Sequence, residues 1–289
     1  MKRVPFTVRL RVPVGKVVER QGWLVEGPAG WGECSPLPSW SDEERAAAER
    51  SAEEAAIQAF PDGLRARVEV NAMIPRVAPE LAAALAIESE CRTVKVKVGD
   101  PDGEARVEAV RAALGSPGRI RLDANGAWQD VDEALDAIRS YERFGIELVE
   151  APVETLEDLA RLRRASPVPV AAEMSVRTVE DARRIRELGA ADVVIIKPQR
   201  VGGVRAALAA AEEAGVPAIA SSALESSVGL AAVLAVAAAL PASTFAHGVG
   251  TALLLEDDVT SSPLLPQNGV LEPRRVVPDL LVASETTHG

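Results

Sequence analysis

The stretch that decides the fold reads VKVKV, at residues 94–98. Side chains on a β-strand point alternately to its two faces, so Lys95 and Lys97 share one face and the valines share the other. β-Branched residues favour strands, and a face made only of valines is typical of a strand that packs against helices. We therefore predict that the valines face outer helices and that both lysines point into the interior of a curled sheet.

Similar short apolar runs recur at intervals of roughly 25 residues, with helical stretches rich in Ala, Arg and Glu between them. Strict alternation of eight strands with helices is typical of a closed parallel (β/α)₈ TIM barrel, an α/β fold. A doubly wound open sheet is the alternative, but no G-x-G-x-x-G motif follows a strand here. The predicted strands span residues 67–74, 93–98, 120–124, 147–151, 168–173, 192–197, 218–223 and 243–247. The predicted helices span residues 104–114, 131–143, 156–166, 179–188, 204–214 and 227–240.

The N-terminal residues do not follow this repeat, and they predict a small α+β capping domain. Residues 8–14 and 16–26 have strand character, and a helix is expected from Ser41 to about Phe60. Ser41 is a natural N-cap with Glu44 three residues later, which is the pattern of a capping box. After residue 255 the chain becomes irregular, and residues 271–281 are expected to return to the N-terminal sheet. We thus predict a capping domain of residues 1–65, completed by residues 256–289, over a barrel domain of residues 66–255.

Composition excludes several classes of partner. The net charge of −11 and the pI near 4.9 argue against nucleic acid and against an anionic membrane, whose binders carry a basic face. Cys34 and Cys91 lie far apart and form neither a zinc motif nor a redox pair. The longest apolar run, residues 230–241, is too short to span a bilayer and predicts a buried helix. With an N-terminus that lacks a signal-peptide core, this predicts a cytoplasmic protein that binds a small-molecule carboxylate; no pattern indicates an oligomeric state.

Three carboxylates stand at the ends of three consecutive predicted strands: Asp123, Glu150 and Glu173. One acidic residue at a strand end is most often a helix cap, but three that follow the βα repeat are expected to converge at the active-site end of a barrel. Clustered anions repel one another unless a cation neutralises them. Mg²⁺, with Mn²⁺ as the alternative, suits such oxygen ligands. Arg121 and Asn125 share the face of Asp123 and join the candidate site.

The lysines add a candidate acid–base function. Strands two and six lie opposite each other in an eight-stranded barrel, so Lys97 and Lys197 are expected to face each other across the carboxylates. A lysine near a metal ion and another cation has a lowered pKa and can act as a base. Lys95 shares the face of Lys97. The chain has only two histidines, so acid–base chemistry is expected to rest on Lys, Asp or Glu.

The last two predicted strands end in small polar residues. The serine-rich end of strand seven is equally well explained by a helix cap and, through Ser221 and Ser222, by a site for a substrate carboxylate. Gly248 suggests a close approach of the backbone to a ligand. His247 is as well explained by a buried structural role as by a catalytic one.

These motifs resemble a known family. KVK at residues 95–97, RLDANGAW at residues 121–128, EAP at residues 150–152 and the later Lys197 resemble the muconate-lactonizing branch of the enolase superfamily. Within that branch, the chain is most similar to the short o-succinylbenzoate synthases of actinobacteria. The resemblance covers nearly the whole chain, and it includes EGPAGWGE at residues 26–33 and SSALES at residues 221–226.

The resemblance implies a Mg²⁺-dependent lyase of menaquinone biosynthesis. It would remove water from 2-succinyl-6-hydroxy-2,4-cyclohexadiene-1-carboxylate to give o-succinylbenzoate. Lys97 would abstract the proton next to the ring carboxylate and then help hydroxide leave as water. Lys197 would stabilise the anion from the opposite face, Lys95 would tune Lys97, and Arg121 and Asn125 would order the metal and substrate sites.

The chain also departs from the family pattern. An Asp-Glu-Ser sequence usually supplies the third ligand, and here the matching residues are Glu173, Met174 and Ser175. An N-succinylamino-acid racemase, or another enolase-superfamily enzyme, is one alternative, because Lys97 and Lys197 supply a base on each face and Arg200 stands near Lys197 in sequence. A non-catalytic relative with a weakened metal site is a further alternative.

Overall fold

The N-terminal part is a three-stranded antiparallel sheet covered by one helix. The computed structural model describes residues 1–280, and residues 281–289 lie outside this description. The sheet has the order β1 (Lys2–Val14), β2 (Val17–Gly27) and β3 (Gly30–Cys34). Helix α1 (Asp42–Ile57) has Ser41 as its N-cap. The Ser41 side chain accepts a hydrogen bond from the Glu44 backbone N–H, and the Glu44 side chain accepts one from the Ser41 backbone N–H. The predicted capping box is confirmed.

Helix α1 lies very close to β3 because small residues meet at the contact. A Cβ on Gly32 would lie 2.0 Å from the backbone oxygen of Ala52. The buried alanines of α1 pack with Val25 and Cys34 of the sheet. A side chain at residue 32 would therefore push the helix off the sheet.

The rest of the chain alternates strands and helices. The strands are β4 (Val68–Glu69), β5 (Asn71–Ile74), β6 (Thr93–Lys97), β7 (Arg119–Asp123), β8 (Ile146–Glu150), β9 (Val170–Ala172), β10 (Val193–Ile196), β11 (Ala218–Ala220) and β12 (Val270–Leu271). The helices are α2 (Pro79–Glu88), α3 (Gly103–Leu114), α4 (Val131–Tyr141), α5 (Leu156–Ala165), α6 (Val179–Leu188), α7 (Pro198–Val201), α8 (Val204–Ala214) and α9 (Ser227–Ala239). Two 3₁₀ turns lie at Glu142–Phe144 and Thr251–Leu254.

Strands β5 to β11 form one parallel sheet in sequence order, and the sheet curls into a barrel. The segment around His247 and Gly248 closes it, because Val70 bridges to His247 at one edge and Ser221 bridges to Gly248 at the other. The predicted TIM-type barrel with an N-terminal α+β domain is confirmed. The bounds of the two domains stay a prediction.

Two predicted strands differ in the structure. The first, over residues 67–74, breaks at Val70 into β4 and β5. The eighth, over residues 243–247, is wrong as a strand: its residues are irregular until the bridges at His247 and Gly248. Single bridges suffice there because the segment needs only to join the two sheet edges.

The faces of the barrel strands follow the predicted alternation. Val94, Val96 and Val98 are fully buried among residues of the surrounding helices. The interior of the barrel holds a separate small cluster of Leu148, Ala171, Val193, Ile195 and Ile219. Polar residues of the same inward faces stand above this apolar cluster, at the carboxyl ends of the strands.

The predicted buried helix over residues 230–241 corresponds to α9, whose residues from Ser227 to Ala238 are buried. None of the helices between residues 1 and 280 has the length and apolar character needed to cross a membrane. The predicted cytoplasmic location stays a prediction.

The C-terminal segment returns to both parts of the molecule. β12 pairs with β4 in an antiparallel ladder. Arg275 donates hydrogen bonds to the carbonyls of Ala55 and Gln58 at the end of α1. The predicted return to the N-terminal part is therefore seen at the end of α1 and also at the sheet, where a Cβ on Gly30 of β3 would lie 3.4 Å from the Arg275 side chain. The last residue of that predicted segment, residue 281, lies outside the described residues.

One buried carboxylate joins the N-terminal sheet to the barrel. Glu33 of β3 accepts hydrogen bonds from the backbone N–H groups of Ser226 (3.2 Å) and Gly229 (2.9 Å), at the first turn of α9. It also accepts from the hydroxyls of Ser226 and Ser35. Carboxylates at a helix N-terminus satisfy its free donors and complement its dipole.

We expect Glu33→Ala to destabilise the protein strongly, because each buried donor left without an acceptor costs about 1–3 kcal/mol. Glu26→Ala is the control, since Glu26 is an exposed residue of β2. The free energy of unfolding from urea titrations measures both variants. Equal stability of the two variants would show that Glu33 does not hold the domains together.

Candidate active site

A cavity of about 180 Å³ lies where the carboxyl ends of the barrel strands meet the N-terminal domain. Its roof is apolar and consists of Val14 and Val17, which flank the β1–β2 turn, and Leu37, which follows β3. Its polar walls come from the barrel and include Lys95, Lys97, Asp123, Asn125, Lys197, Ser221, Ser222 and Gly248. Carboxyl ends of strands are the usual location of active sites in such barrels.

Two lysines from one strand neutralise the acidic residues of the next two strands. Lys95 Nζ lies 2.9 Å from Asp123 Oδ2 and 2.9 Å from Glu150 Oε2. Lys97 Nζ lies 2.8 Å from the same Asp123 oxygen. The strand register produces these contacts, because Lys97 is paired with Asp123 and Asp123 with Glu150. Residues adjacent in register with inward-facing side chains must meet inside the barrel.

The third carboxylate, Glu173, forms an ion pair with Lys197. Glu173 follows β9, Lys197 follows β10, and Lys197 Nζ lies 2.6 Å from Glu173 Oε1. Arg200 Nη1 lies 3.7 Å from the same oxygen, while Arg200 Nε donates a 2.5 Å hydrogen bond to Glu44 of α1. The N-terminal domain therefore helps to hold the Arg200 guanidinium beside the Lys197–Glu173 pair.

Burial and charge shift the pKa values of this cluster in opposite directions. Burial acts to lower the pKa of Lys95, but Asp123 and Glu150 outweigh it, and the pKa is raised. The pKa of Lys97 is lowered by burial, although Asp123 opposes this shift. The pKa of Asp123 is lowered because its two lysines outweigh burial. Burial raises the pKa of Glu150, with Lys95 opposing. The two lysines of β6 therefore differ in their affinity for a proton.

The buried carboxylates of Asp123, Glu150 and Glu173 offer the oxygen ligands that a hard divalent cation prefers. Asp123 Oδ1 is buried and has no hydrogen-bond partner, and Glu150 and Glu173 are buried beside it at the same end of the barrel. An unpartnered buried carboxylate oxygen is a costly feature that a cation would relieve. Among the described residues no three His, Cys, Asp or Glu side chains are arranged to hold a metal ion, and lysines contact oxygen atoms of Asp123 and Glu173. Side-chain rotation within this cluster is therefore needed for metal binding.

The two serines after β11 and the glycine of the closing segment line the cavity. Ser221, Ser222 and Gly248 all face it, and the Ser222 hydroxyl lies 2.5 Å from that of Thr251. A Cβ on Gly248 would lie 2.4 Å from Ser221 Oγ, so only glycine fits here. The helix cap is a different serine, Ser226, whose side chain accepts from Val228 N–H.

Arg121, which was predicted to bind substrate, is not among the residues that line the cavity. It is fully buried below the cavity, where it donates to Glu147 Oε2 (2.6 Å), Asn71 Oδ1 (3.1 Å) and the Ala246 carbonyl (2.9 Å). Its position two residues before Asp123 places it one layer deeper in the barrel. Arg121 thus joins the closing segment to the sheet and does not line the cavity.

His247 is buried at the same depth. It accepts a hydrogen bond at Nδ1 from Ala220 N–H, and burial lowers its pKa to about 3. Since it does not line the cavity, the structural explanation for this histidine is favoured.

The sequence reasoning missed several residues that line the cavity, among them Asn71, Met73 and Thr251. The first two lie on β5, and Met73 is paired in register with Lys95. The same alternation that placed Lys95 inside the barrel predicts Asn71 and Met73 there too, so the signal was available. Thr251 lies in an irregular segment, where alternation gives no guidance.

Family models match both parts of the chain. Residues 2–56 match the enolase N-terminal domain-like family, and residues 78–279 match the enolase C-terminal domain-like family. Among solved structures, the muconate lactonizing enzyme from Pseudomonas fluorescens superposes with a TM-score of 0.82 at 21% identity, over 96% of this chain and 94% of that one. The dipeptide epimerase from Enterococcus faecalis V583 also gives 0.82 at 21% identity, over 96% and 97%. These structures establish a shared fold.

Two curated relatives are much more similar in sequence. The o-succinylbenzoate synthase of Thermobifida fusca is 49% identical over 94% of this chain and 87% of its own. That of Mycobacterium marinum is 41% identical over 96% and 84%. The chain therefore belongs to the enolase superfamily and, within it, to the o-succinylbenzoate synthase family.

Proposed function

We propose that this protein is a lyase that removes water from 2-succinyl-6-hydroxy-2,4-cyclohexadiene-1-carboxylate to give o-succinylbenzoate, in menaquinone biosynthesis. The observation that carries the proposal is the cluster of three lysines and three buried carboxylates at the mouth of the barrel. Relatives of this chain at 40% identity or more are o-succinylbenzoate synthases, which supports the same activity. A small dicarboxylate suits a cavity with several lysines in a protein that is acidic overall.

Lys97 is proposed as the base. It lines the cavity, and it contacts one carboxylate where Lys95 contacts two. In its neutral form it takes the proton from the carbon next to the ring carboxylate. The electron pair of that C–H bond forms the new C=C bond of the aromatic ring. Lys97, now an ammonium group, then donates this proton to the departing hydroxyl, which leaves as water. Lys97 is therefore neutral again at the end of the reaction.

Lys197 and Lys95 are proposed to act electrostatically. Lys197 lines the cavity from β10, opposite the lysines of β6, and its ammonium stabilises the negative charge that develops on the substrate carboxylate. Lys95 is held by Asp123 and Glu150 and stays protonated, so its charge favours the neutral form of Lys97.

Asp123, Glu150 and Glu173 are proposed to hold Mg²⁺, or Mn²⁺ in its place. When bound, the cation supplies positive charge that stabilises the developing anion of the substrate. Asn125 lies two residues after Asp123, the last residue of β7, and lines the cavity, where it can bind the substrate or order the ligands. Ser221, Ser222 and the backbone at Gly248 are proposed to bind substrate oxygen atoms.

Racemisation of N-succinylamino acids is a second candidate function, favoured by Lys97 and Lys197, which line the cavity at the ends of the second and sixth strands of the barrel sheet. Arg200, 3.7 Å from the Glu173 partner of Lys197, is positioned to influence that lysine. Incubation of each enantiomer in D₂O separates the functions, because a racemase incorporates deuterium at the α-carbon of both. A dehydratase without this activity incorporates none.

We expect Lys97→Ala to lower the rate of dehydration by about 10²–10⁴-fold, the usual contribution of a positioned base. The variant should fold, because Lys95 still neutralises Asp123. Absorbance of the aromatic product measures the rate, with the exposed Lys2→Ala as the control. Full activity of Lys97→Ala would contradict the mechanism.

Mg²⁺ is expected to stabilise the folded protein directly. A ligand at a hundred times its dissociation constant adds about 2.7 kcal/mol to the free energy of unfolding. For a chain of this size the midpoint of thermal unfolding should rise by about 5 °C. Calorimetry with and without EDTA measures the shift, and Asp123→Asn should abolish it. No shift at saturating Mg²⁺ would favour the non-catalytic alternative.

A further inference from the structure

A second compartment of about 400 Å³ opens beside the active-site cavity. The two spaces share Val14, Lys97 and Asn125 as walls, so they are joined at the proposed base. The outer compartment also contains Arg76, which follows β5 and which none of the proposed catalytic steps uses. A substrate held at Lys97 can therefore extend towards Arg76.

Arg76 is fixed at one end of its guanidinium. Nη2 donates a 2.8 Å hydrogen bond to the carbonyl of Val98, directly after β6. Nε lies 3.7 Å from Asp100 Oδ1, which is beyond hydrogen-bond distance. The side chain remains 43% exposed. The backbone contact orients the group, and its other N–H donors remain available to a ligand.

The carboxylate nearest to Arg76 is already neutralised. Asp100 accepts two hydrogen bonds from Arg106, at 3.0 Å and 2.8 Å, in the bidentate geometry of the strongest such pairs. Two guanidiniums thus share one carboxylate, and one positive charge remains. Among the described residues that line the outer compartment, none is acidic. The compartment is therefore electropositive in a protein whose net charge is −11.

Glycines keep the space around Arg76 open. Gly99 has a φ of +85°, and a Cβ there would lie 2.4 Å from the Ala127 Cβ and 3.5 Å from Arg76 Nη2. A side chain at residue 99 would press against both Ala127 and the guanidinium. Gly15, at the turn of the β1–β2 hairpin, also lines the compartment and has no side chain. The compartment is shaped to admit a ligand group next to Arg76.

We propose that Arg76 binds the distal carboxylate of the succinyl arm, and that this contact selects dicarboxylic substrates. The inference rests on the proposed function for the identity of the substrate. The ring carboxylate is placed at Lys197 and the metal ligands, and one small cation cluster cannot hold both carboxylates of the same molecule. The N-succinylamino acids of the second candidate function carry the same arm, so the inference applies to both reactions.

The test compares two ligands that differ only in the distal group. o-Succinylbenzoate carries the carboxylate, and 2-butanoylbenzoate has a methyl group in its place. Titration calorimetry in the presence of Mg²⁺ gives both dissociation constants. Arg76→Met should weaken the binding of o-succinylbenzoate by roughly tenfold, the value of one partly exposed charged hydrogen bond. The binding of 2-butanoylbenzoate should not change, which also shows that the variant is folded.

Arg92→Met is the matched control. Arg92 is an exposed arginine that also donates to one backbone carbonyl, that of Pro117, but it precedes β6 and so lies at the other end of the barrel. The Arg92→Met variant should bind both ligands as tightly as the wild type does. Arg76→Lys should recover part of the lost affinity, because it restores the charge but not the planar fork.

The outcomes separate this inference from the proposed function. If Arg76→Met weakens both ligands equally, or neither, Arg76 is a structural residue and the inference is overturned. If the wild type binds neither ligand, the inference and the proposed substrate fail together. Selective loss in Arg76→Met, in a wild type that shows no dehydration, would support the subsite and overturn only the reaction.

Discussion

Burying three carboxylates at one end of a barrel is possible only if positive charge is buried with them. Lys95 meets this requirement for Asp123 and Glu150, and Lys197 meets it for Glu173. Removing one partner from such a buried pair typically costs about 3–5 kcal/mol, because the other charge is left without compensation. The cluster therefore constrains the strand register, since a slip of one residue in any of these strands would turn that strand's charged side chains towards the helices.

The same constraint explains how the lysines are used. The sequence contains five lysines, and three of them lie in this cluster. Surface charge is carried mostly by arginine and acidic residues, and the two lysines outside the cluster, Lys2 and Lys16, are exposed. An arginine in place of Lys97 would preserve the charge but could not act as a base at neutral pH.

The cluster also depends on the N-terminal domain. The roof residues Val14, Val17 and Leu37 exclude water from one side of the cavity. Glu33 and Glu44 reach from the same domain to α9 and to Arg200. Glu173, where the family pattern usually has Asp, uses its longer side chain to contact Lys197, which has the next position in the barrel. The departure from the pattern is thus compatible with an intact cluster.

Sequence alone determined the βα repeat, the inward faces of the strands and the types of charge at their ends. These properties are local, because alternation along a strand and periodicity along a helix need only neighbouring residues. Asp123, Glu150, Glu173 and the lysines could all be named on that basis. Tertiary structure alone decided which lysine contacts which carboxylate, that Arg121 lies below the cavity, and that Arg76 faces a second compartment. Those relations join residues that are distant in the chain, and they follow from the curvature of the barrel and the position of its cap.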